Sequence, residues 1–336
     1  MTIPPTQMHN THIGGPGAWR RADFPEPPDW RRPRSPKTLA ELEQALQTIR
    51  EQRRDLPSLT SAEFALPAFD AEAVELRREI LSGRGFVVLH GLPIERCTAE
   101  EAGMLYWCLG SRLGPPLPQN LAGDRLYSVR DEGYTIEQDY GAAGVRYSKT
   151  SEGFHFHTDS APALAGITPA IVGLIALQTA KSGGASVLVS AKAVHDVMLA
   201  ERPDLLALLY APFHHDRSSE LPPGESPTLL APIFRFDGQL RMRYMRFYIE
   251  RGHRKAAAPL SSGQIEALDF LDSVMDREAL HILFHLNRGE MLFVSNEFIL
   301  HSRTAFEDHP EPARRRHYAR LWLGRETPIK PAAPTA

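Results

Sequence analysis

The hydrophobic rhythm of the chain changes near Gly114. Before that point apolar residues recur at helical spacing. Thr38 and Glu41 read as a capping box ahead of LAELEQALQTIREQRR, and a second helix is expected from about Asp70 in AEAVELRREILS. Thr98 and Glu101 repeat the box ahead of EEAGMLYWCLGSRLG, while GFVVLHG, just upstream, predicts a buried strand. After Gly114 the apolar runs are short and split by turn residues: RLYSVRD, AIVGLIALQTA, ASVLVSA, IFRFDG, LRMRYM, HILFHL, EMLFVSN and RRHYARLWLG. Gly183-Gly184 and Asp237-Gly238 lie between pairs of runs and predict hairpin turns. Helical segments interrupt the series near residues 194–210 and, behind a third capping box at Ser261 and Gln264, near 265–277. Many strands without βαβ alternation predict a mainly β chain (α+β), a sandwich or barrel with helices outside.

Residues 1 to about 36 are rich in Pro, Gly and Arg and predict an extended arm; Trp19 and Trp30 predict that it packs against the body. The organisation expected is an N-terminal arm and helix over residues 1–70, packed on a core over 71–336, as one structural domain. The hydrophobic content of 42% supports a core of that size. A net charge of −3 gives no basic footprint for nucleic acid. Cys97 and Cys108 make neither a disulfide framework nor a CxxC zinc site. The start of the sequence shows no cationic end followed by an apolar run, and AIVGLIAL is too short to span a bilayer, so a soluble, cytoplasmic protein is expected.

The chemistry concentrates in GFHFHTDS, residues 153–160, where His155, His157 and Asp159 occupy alternate positions. On a regular strand all three would meet one metal ion. Composition alone predicts roughly two His-x-acid matches, and three occur: His157/Asp159, His214/Asp216 and His309/Glu311. The second runs into RSSELPPGESP and the third lies in EDHPEPARRR, both read as polar loops. The first sits between an aromatic run and an apolar strand. Downstream, His301 follows the strand EMLFVS, and Arg316 and Arg320 stand in RRHYARLWLG. Two histidines and a carboxylate leave three metal positions open, which suits non-haem Fe(II) and O2. A nearby arginine supplies the bidentate clamp that a dicarboxylate cosubstrate requires.

In this order HTD, GGAS, LHSRTAFED and RHYARLWL, spread over about residues 85–324, resemble the taurine dioxygenase (TauD/TfdA-like) family of Fe(II)- and 2-oxoglutarate-dependent oxygenases. The resemblance implies a double-stranded β-helix (jelly-roll, cupin-like) core with His157, Asp159 and His301 as iron ligands. It implies that Arg316 holds the distal carboxylate of 2-oxoglutarate and that Arg320 lies near its chelating end. Ser186, where the family often has Thr, would bond the same distal carboxylate. With His301 as third protein ligand, His155 is left as a pocket-wall or supporting residue. The implied reaction consumes O2, converts 2-oxoglutarate to succinate and CO2, and oxidises, most simply hydroxylates, a C–H bond of a small organic substrate. Asp159 fills the position that related halogenases leave open, which argues against halogenation.

Pocket walls are expected from VRYSKTSEGF and LRMRYMRFYIERG, with Lys149, Arg243 and Arg246 as candidate receptors for an anionic substrate and Asn120 as a further wall residue. The partner expected is therefore a small molecule, with self-association into a homo-oligomer the other partner reading. Two rivals remain: a non-catalytic β-helix that binds a small molecule or serves as a scaffold, and a zinc hydrolase. The ligands and both arginines count against the first. The second lacks an HExxH glutamate.

Overall fold

The computed structural model describes residues 2–26, 28–52, 64–136, 147–160, 168–217, 221 and 224–326. Ten strands form its two main sheets: β1 (Arg31–Pro33), β2 (Phe86–His90), β3 (Leu126–Val129), β4 (Phe154–His157), β5 (Ile171–Gln178), β6 (Ser186–Ser190), β7 (His281–Phe284), β8 (Met291–Ser295), β9 (Ile299–Arg303) and β10 (His317–Leu323). The larger sheet has the order β1-β2-β8-β5-β10-β3, antiparallel except for the β1–β2 pair. The smaller runs β7-β6-β9-β4, antiparallel throughout. Together with the helices they make an α+β double-stranded β-helix.

Strand alternation divides the core in two. Val87, Leu89, Ile175, Met291, Phe293, Leu321 and Leu323 face one way, into a cluster with α1 (Pro36–Gln52), α2 (Pro67–Ser82) and α3 (Ala99–Leu113). Phe86, Val88, Val172, Ala176, Leu292, Tyr318 and Trp322 face the other way, toward the smaller sheet. That second cluster also takes in α4 (Ala191–Glu201), α5 (Pro203–Leu209) and α7 (Ser262–Met275); α6 (Arg246–Lys255) lies between α5 and α7 in the chain. Trp19 and Trp30 are buried; the Trp19 indole donates to Arg84 O, and Trp30 meets Phe284.

Several local readings change. Thr98/Glu101 and Ser261/Gln264 are reciprocal capping boxes, but Thr38/Glu41 is not. The first helix starts at Pro36, and Glu41 accepts the backbone N–H groups of Ala68 and Phe69 instead, capping α2 from outside. Asp237-Gly238 joins a hairpin between residues 234–236 and 240–242. Gly183-Gly184 does not close a hairpin of β5 with β6, because those strands lie in different sheets. It carries the chain between the sheets, pairing residues 182–183 with 306–307. Gly183 needs its positive φ of 73°, and a Cβ there would stand 2.2 Å from Ala305 O. The helix expected over 194–210 is two, α4 and α5, divided before Pro203. No helix among the described residues is long and apolar enough to cross a membrane.

Candidate metal centre and active-site cavity

Between the two sheets lies a cleft of about 910 Å³, counting its open mouth, a size that fits small molecules. Leu174, Leu292, Arg320 and Trp322 line it from the larger sheet, and His157, Ser186, Leu188, His301 and Arg303 from the smaller one. Tyr147, Ser148 and Phe154 close one side; Met245 and Tyr248 close another.

His157, Asp159 and His301 meet on its wall with their ligating atoms within 4.8 Å of one another, the one such group of three or more among the described residues. His157 and His301 are register partners on adjacent strands. Asp159 Oδ1 lies 3.5 Å from His157 Nε2 and 3.8 Å from His301 Nε2. His157 Nδ1 is 3.1 Å from His155 O and, donating there, leaves Nε2 with its lone pair toward the centre. Burial, with the neighbouring His157, lowers the His301 pKa to about 3, so that ring is neutral and able to bind a metal. Burial alone would raise the Asp159 pKa; the Arg320 guanidinium and the two histidines outweigh it and hold the carboxylate well below its usual range.

The His155 side chain takes no part. β4 carries a bulge against β9: His301 opposes His157, yet Arg303 opposes Phe154, so three steps on β4 match two on β9. The extra residue breaks the alternation expected for GFHFHTDS. Phe154 and His157 therefore face the cleft together, while the His155 side chain is exposed and contributes only its carbonyl. His155→Ala is accordingly expected to bind Co(II) within about twofold of the parent; a loss comparable to that of a ligand variant, read by calorimetry, would contradict this geometry.

The second oxygen of Asp159 is held away from the centre. Oδ2 accepts from Trp322 Nε1 at 2.7 Å and from Arg320 Nη1 at 3.1 Å. Arg320 Nε in turn donates to Gln119 Oε1 at 2.8 Å. Asn296 Oδ1 accepts from Asp159 N at 2.7 Å and its Nδ2 donates to Asp159 O at 2.8 Å, tying the Asp159 segment to the turn before β9. None of Trp322, Asn296 or Gln119 carried a motif signal as a support for the carboxylate. Trp322→Phe keeps most of the ring packing and removes one bond to Oδ2. It should raise the Co(II) dissociation constant on the order of tenfold; an unchanged affinity would remove Trp322 from the support of the site.

Arg316, just ahead of β10, is buried, and its Nε and Nη1 have no hydrogen-bond partner among the described residues. Its guanidinium lies 3.7 Å from the Tyr318 ring centre and 5.0 Å from that of Phe306. Unsatisfied buried guanidinium donors are costly, and a carboxylate would satisfy them. Gly184, at φ 69°, keeps the turn before Ser186 close to Arg316 Nε. Arg303 is a second buried cation in the wall, bonded to the backbone oxygens of Thr150 and Glu152, its pKa lowered to about 9 by burial and by Arg316.

Other candidates fall outside. Asn120 bonds Asp124 across a turn, and its neighbour Gln119 is the residue that reaches Arg320. Lys149 pairs with Glu132, and Arg246 with Glu250, Asp269 and Asp272. His214 and Asp216 are on a strand, residues 212–216, not in a polar loop; Asp216 is fully buried against Lys255 and Arg251. Glu311 lies in an exposed turn.

Residues 52–322 match the profile of the taurine catabolism dioxygenase TauD, TfdA family. The chain belongs to this family. It is a non-haem iron, 2-oxoglutarate-dependent oxygenase, and the His-Asp-His group and the open Arg316 donors fit those two cofactors. Among curated relatives, FR-33289 synthase of Streptomyces rubellomurinus is 29% identical over 94% of this chain and 91% of its own length. The taurine hydroxylase-like protein SAT17 of Stachybotrys chartarum is 27% identical over 84% of this chain and 72% of its own length. The fold is that of an asparagine oxygenase solved with Fe(II), 3-hydroxyasparagine and succinate, at TM-score 0.65, 18% identity, and coverage of 90% and 98% of the two chains. It is also that of the oxygenase OrfP solved with Fe and alpha-ketoglutaric acid, at TM-score 0.61, 14% identity, and coverage of 88% and 94%.

Proposed function

We propose that this family member hydroxylates a C–H bond of a small anionic molecule, with His157, Asp159 and His301 holding Fe(II) and Arg316 and Ser186 holding the distal carboxylate of 2-oxoglutarate. The observation that carries the reading is the pairing of a buried His-Asp-His group with a buried arginine whose donors are unsatisfied, on the walls of one cleft. Bound together with O2, iron and 2-oxoglutarate supply the oxidation: succinate and CO2 form, and one oxygen atom enters the substrate C–H bond.

The residues do the rest. Trp322 and Arg320 occupy Asp159 Oδ2, so the carboxylate offers Oδ1 alone and two positions remain for a chelating cosubstrate and one for O2. Arg320, committed to Asp159 and Gln119, acts on the chelating end only through the ligand it orients. Leu174, Leu188 and Leu292 make the wall apolar and limit water around the reacting centre.

Charge supports an anionic substrate. The metal and the cosubstrate dianion cancel. Asp159 offsets Arg320, and the Asp308 carboxylate, which accepts the backbone N–H of Arg316, lies near Arg303 and Arg316. Arg303, Arg316 and Arg320 together bring three guanidinium groups to the walls of one cleft, which favours an anionic occupant. A cytoplasmic setting fits the two free cysteines. The test is anaerobic addition of Fe(II) and 2-oxoglutarate to the metal-free protein. A weak visible charge-transfer band is expected, followed on aeration by succinate release. Absence of both would leave the scaffold reading in its place.

A further inference from the structure

β4 ends at His157, whose ladder partner is His301, so Asp159 stands past the end of the strand. Two clamps hold the chain there. On one side Asn296 bonds both the N–H and the carbonyl of Asp159. On the other, Thr158 is tied to the backbone of Tyr244. Its N–H donates to Tyr244 O at 2.9 Å, and its hydroxyl accepts from Tyr244 N at 3.0 Å. This second clamp grips the one residue between the candidate ligands His157 and Asp159.

Tyr244 itself lies in irregular chain, between the strand of residues 240–242 and the start of α6 at Arg246. Its side chain supplies the anchor that regular structure does not. The ring is fully buried, in the core cluster that holds Leu268 and Leu271 of α7. Its hydroxyl donates to Oδ1 of Asp272, also on α7, and Arg246 Nη1 donates to Oδ2 of the same carboxylate at 3.2 Å. A buried phenol needs such an acceptor, and a charged one makes the stronger bond. An unbroken set of contacts therefore runs from α7 through Tyr244 to Thr158 and the ligands on either side of it. Tyr244 is not itself in the cleft wall; its neighbour Met245 is.

We propose that Tyr244 is a positioning residue of the metal centre. Anchored on Asp272, it sets the crossover backbone that holds Thr158, and through Thr158 the place of Asp159 Oδ1 against the two histidines. The proposal rests on the reading of His157, Asp159 and His301 as ligands. It adds that their spacing is set from a helix outside the two sheets. Contacts that orient metal ligands in this way are worth roughly tenfold or more in metal affinity.

The test compares the metal-free parent with Tyr244→Phe, Thr158→Val, Thr158→Ser and Trp19→Phe. Tyr244→Phe removes only the anchoring hydroxyl. Thr158→Val removes the acceptor for Tyr244 N–H and keeps the shape, whereas Thr158→Ser keeps the oxygen. Trp19→Phe deletes a bond outside the cleft, to Arg84 O, and reports on lost stability alone. Each protein is titrated with Co(II) by calorimetry, and the visible d–d spectrum of the bound ion and the melting temperature are recorded. Tyr244→Phe and Thr158→Val should weaken Co(II) binding on the order of tenfold and shift the d–d bands. Thr158→Ser should bind within about twofold of the parent, and Trp19→Phe should melt earlier yet match the parent in affinity and spectrum. Parental affinity and spectrum in Tyr244→Phe or Thr158→Val would overturn the proposal. So would equal losses in the two Thr158 variants, or a loss in Trp19→Phe as large as that in Tyr244→Phe. If Tyr244→Phe does not fold, Asp272→Ala removes the anchor from its other end and is read in the same way. Failure of the ligand reading is a separate result: the parent itself would take up no Co(II).

Discussion

Asp159→Asn should retain the parental circular dichroism spectrum, bind Co(II) more weakly by on the order of 100-fold or more, and release no succinate. Asparagine is nearly isosteric, so its amide oxygen can still accept from Trp322 Nε1, now 2.7 Å from Oδ2. What is lost is the negative charge between His157 and His301 and the counter-charge for Arg320. The two neutral imidazoles alone leave a dication without a carboxylate in a buried wall, and Arg320 adds repulsion. His301→Ala should behave similarly, because it takes away a neutral imidazole from the strand adjoining β4. Calorimetry with Co(II) on the metal-free proteins separates this from any effect on turnover. If Asp159→Asn bound Co(II) like the parent, the ligand set would have to be redrawn.

How the sequence and the fold relate is clearest at this site. The candidate ligands His157, Asp159 and His301 are legible because HTD and LHSRTAFED are local patterns beside recognisable strands, and the structure brings them within reach of one ion. His155 supports His157 through its carbonyl, but its side chain is off the pocket wall for a physical reason. Alternation assumes one residue per pleat, and the bulge opposite His301–Arg303 inserts one more. A bulge depends on the partner strand, so the run of residues 153–160 does not announce it. Partnering is hidden in the same way. Lys149, Arg243 and Arg246 look alike as cations in a sequence, and only the fold shows that two have carboxylate partners and that the third, among the described residues, has none. The α6 helix is hidden in the sequence because LRMRYM reads as one strand; the chain turns at residues 243–245 to clamp Thr158, and the helix begins at Arg246. Glu41 looks like a local cap in the sequence because Thr38 stands three residues before it, whereas the acceptor serves a helix more than twenty residues away.

Arg316→Lys should raise the 2-oxoglutarate requirement far more than either Arg315→Ala or Arg320→Lys. On β10, Tyr318, Arg320 and Trp322 share the face toward the smaller sheet, and Arg316 extends that side ahead of the strand with its guanidinium over the Tyr318 ring. Arg315 is exposed and donates to Pro310 O. A lysine at 316 has the charge but not the planar fork, and it cannot stack on Tyr318 as a guanidinium does. The cost is of the kind met when a buried anion loses one of two parallel bonds, on the order of 1.5–3 kcal/mol, or roughly ten- to a hundredfold in affinity. Arg316→Ala leaves the dianion without its partner and should cost more, on the order of 3–5 kcal/mol. Arg320→Lys should act differently, since Arg320 is bonded to Asp159 and Gln119: metal affinity falls, and 2-oxoglutarate affinity falls only with it. Two titrations on each variant distinguish these cases, Co(II) binding without cosubstrate and 2-oxoglutarate binding at saturating Fe(II) under anaerobic conditions. Arg316→Lys should change only the second. If it changed only the first, Arg316 would belong to the metal's support and the carboxylate clamp would have to be sought in Arg303, the other buried arginine of this wall.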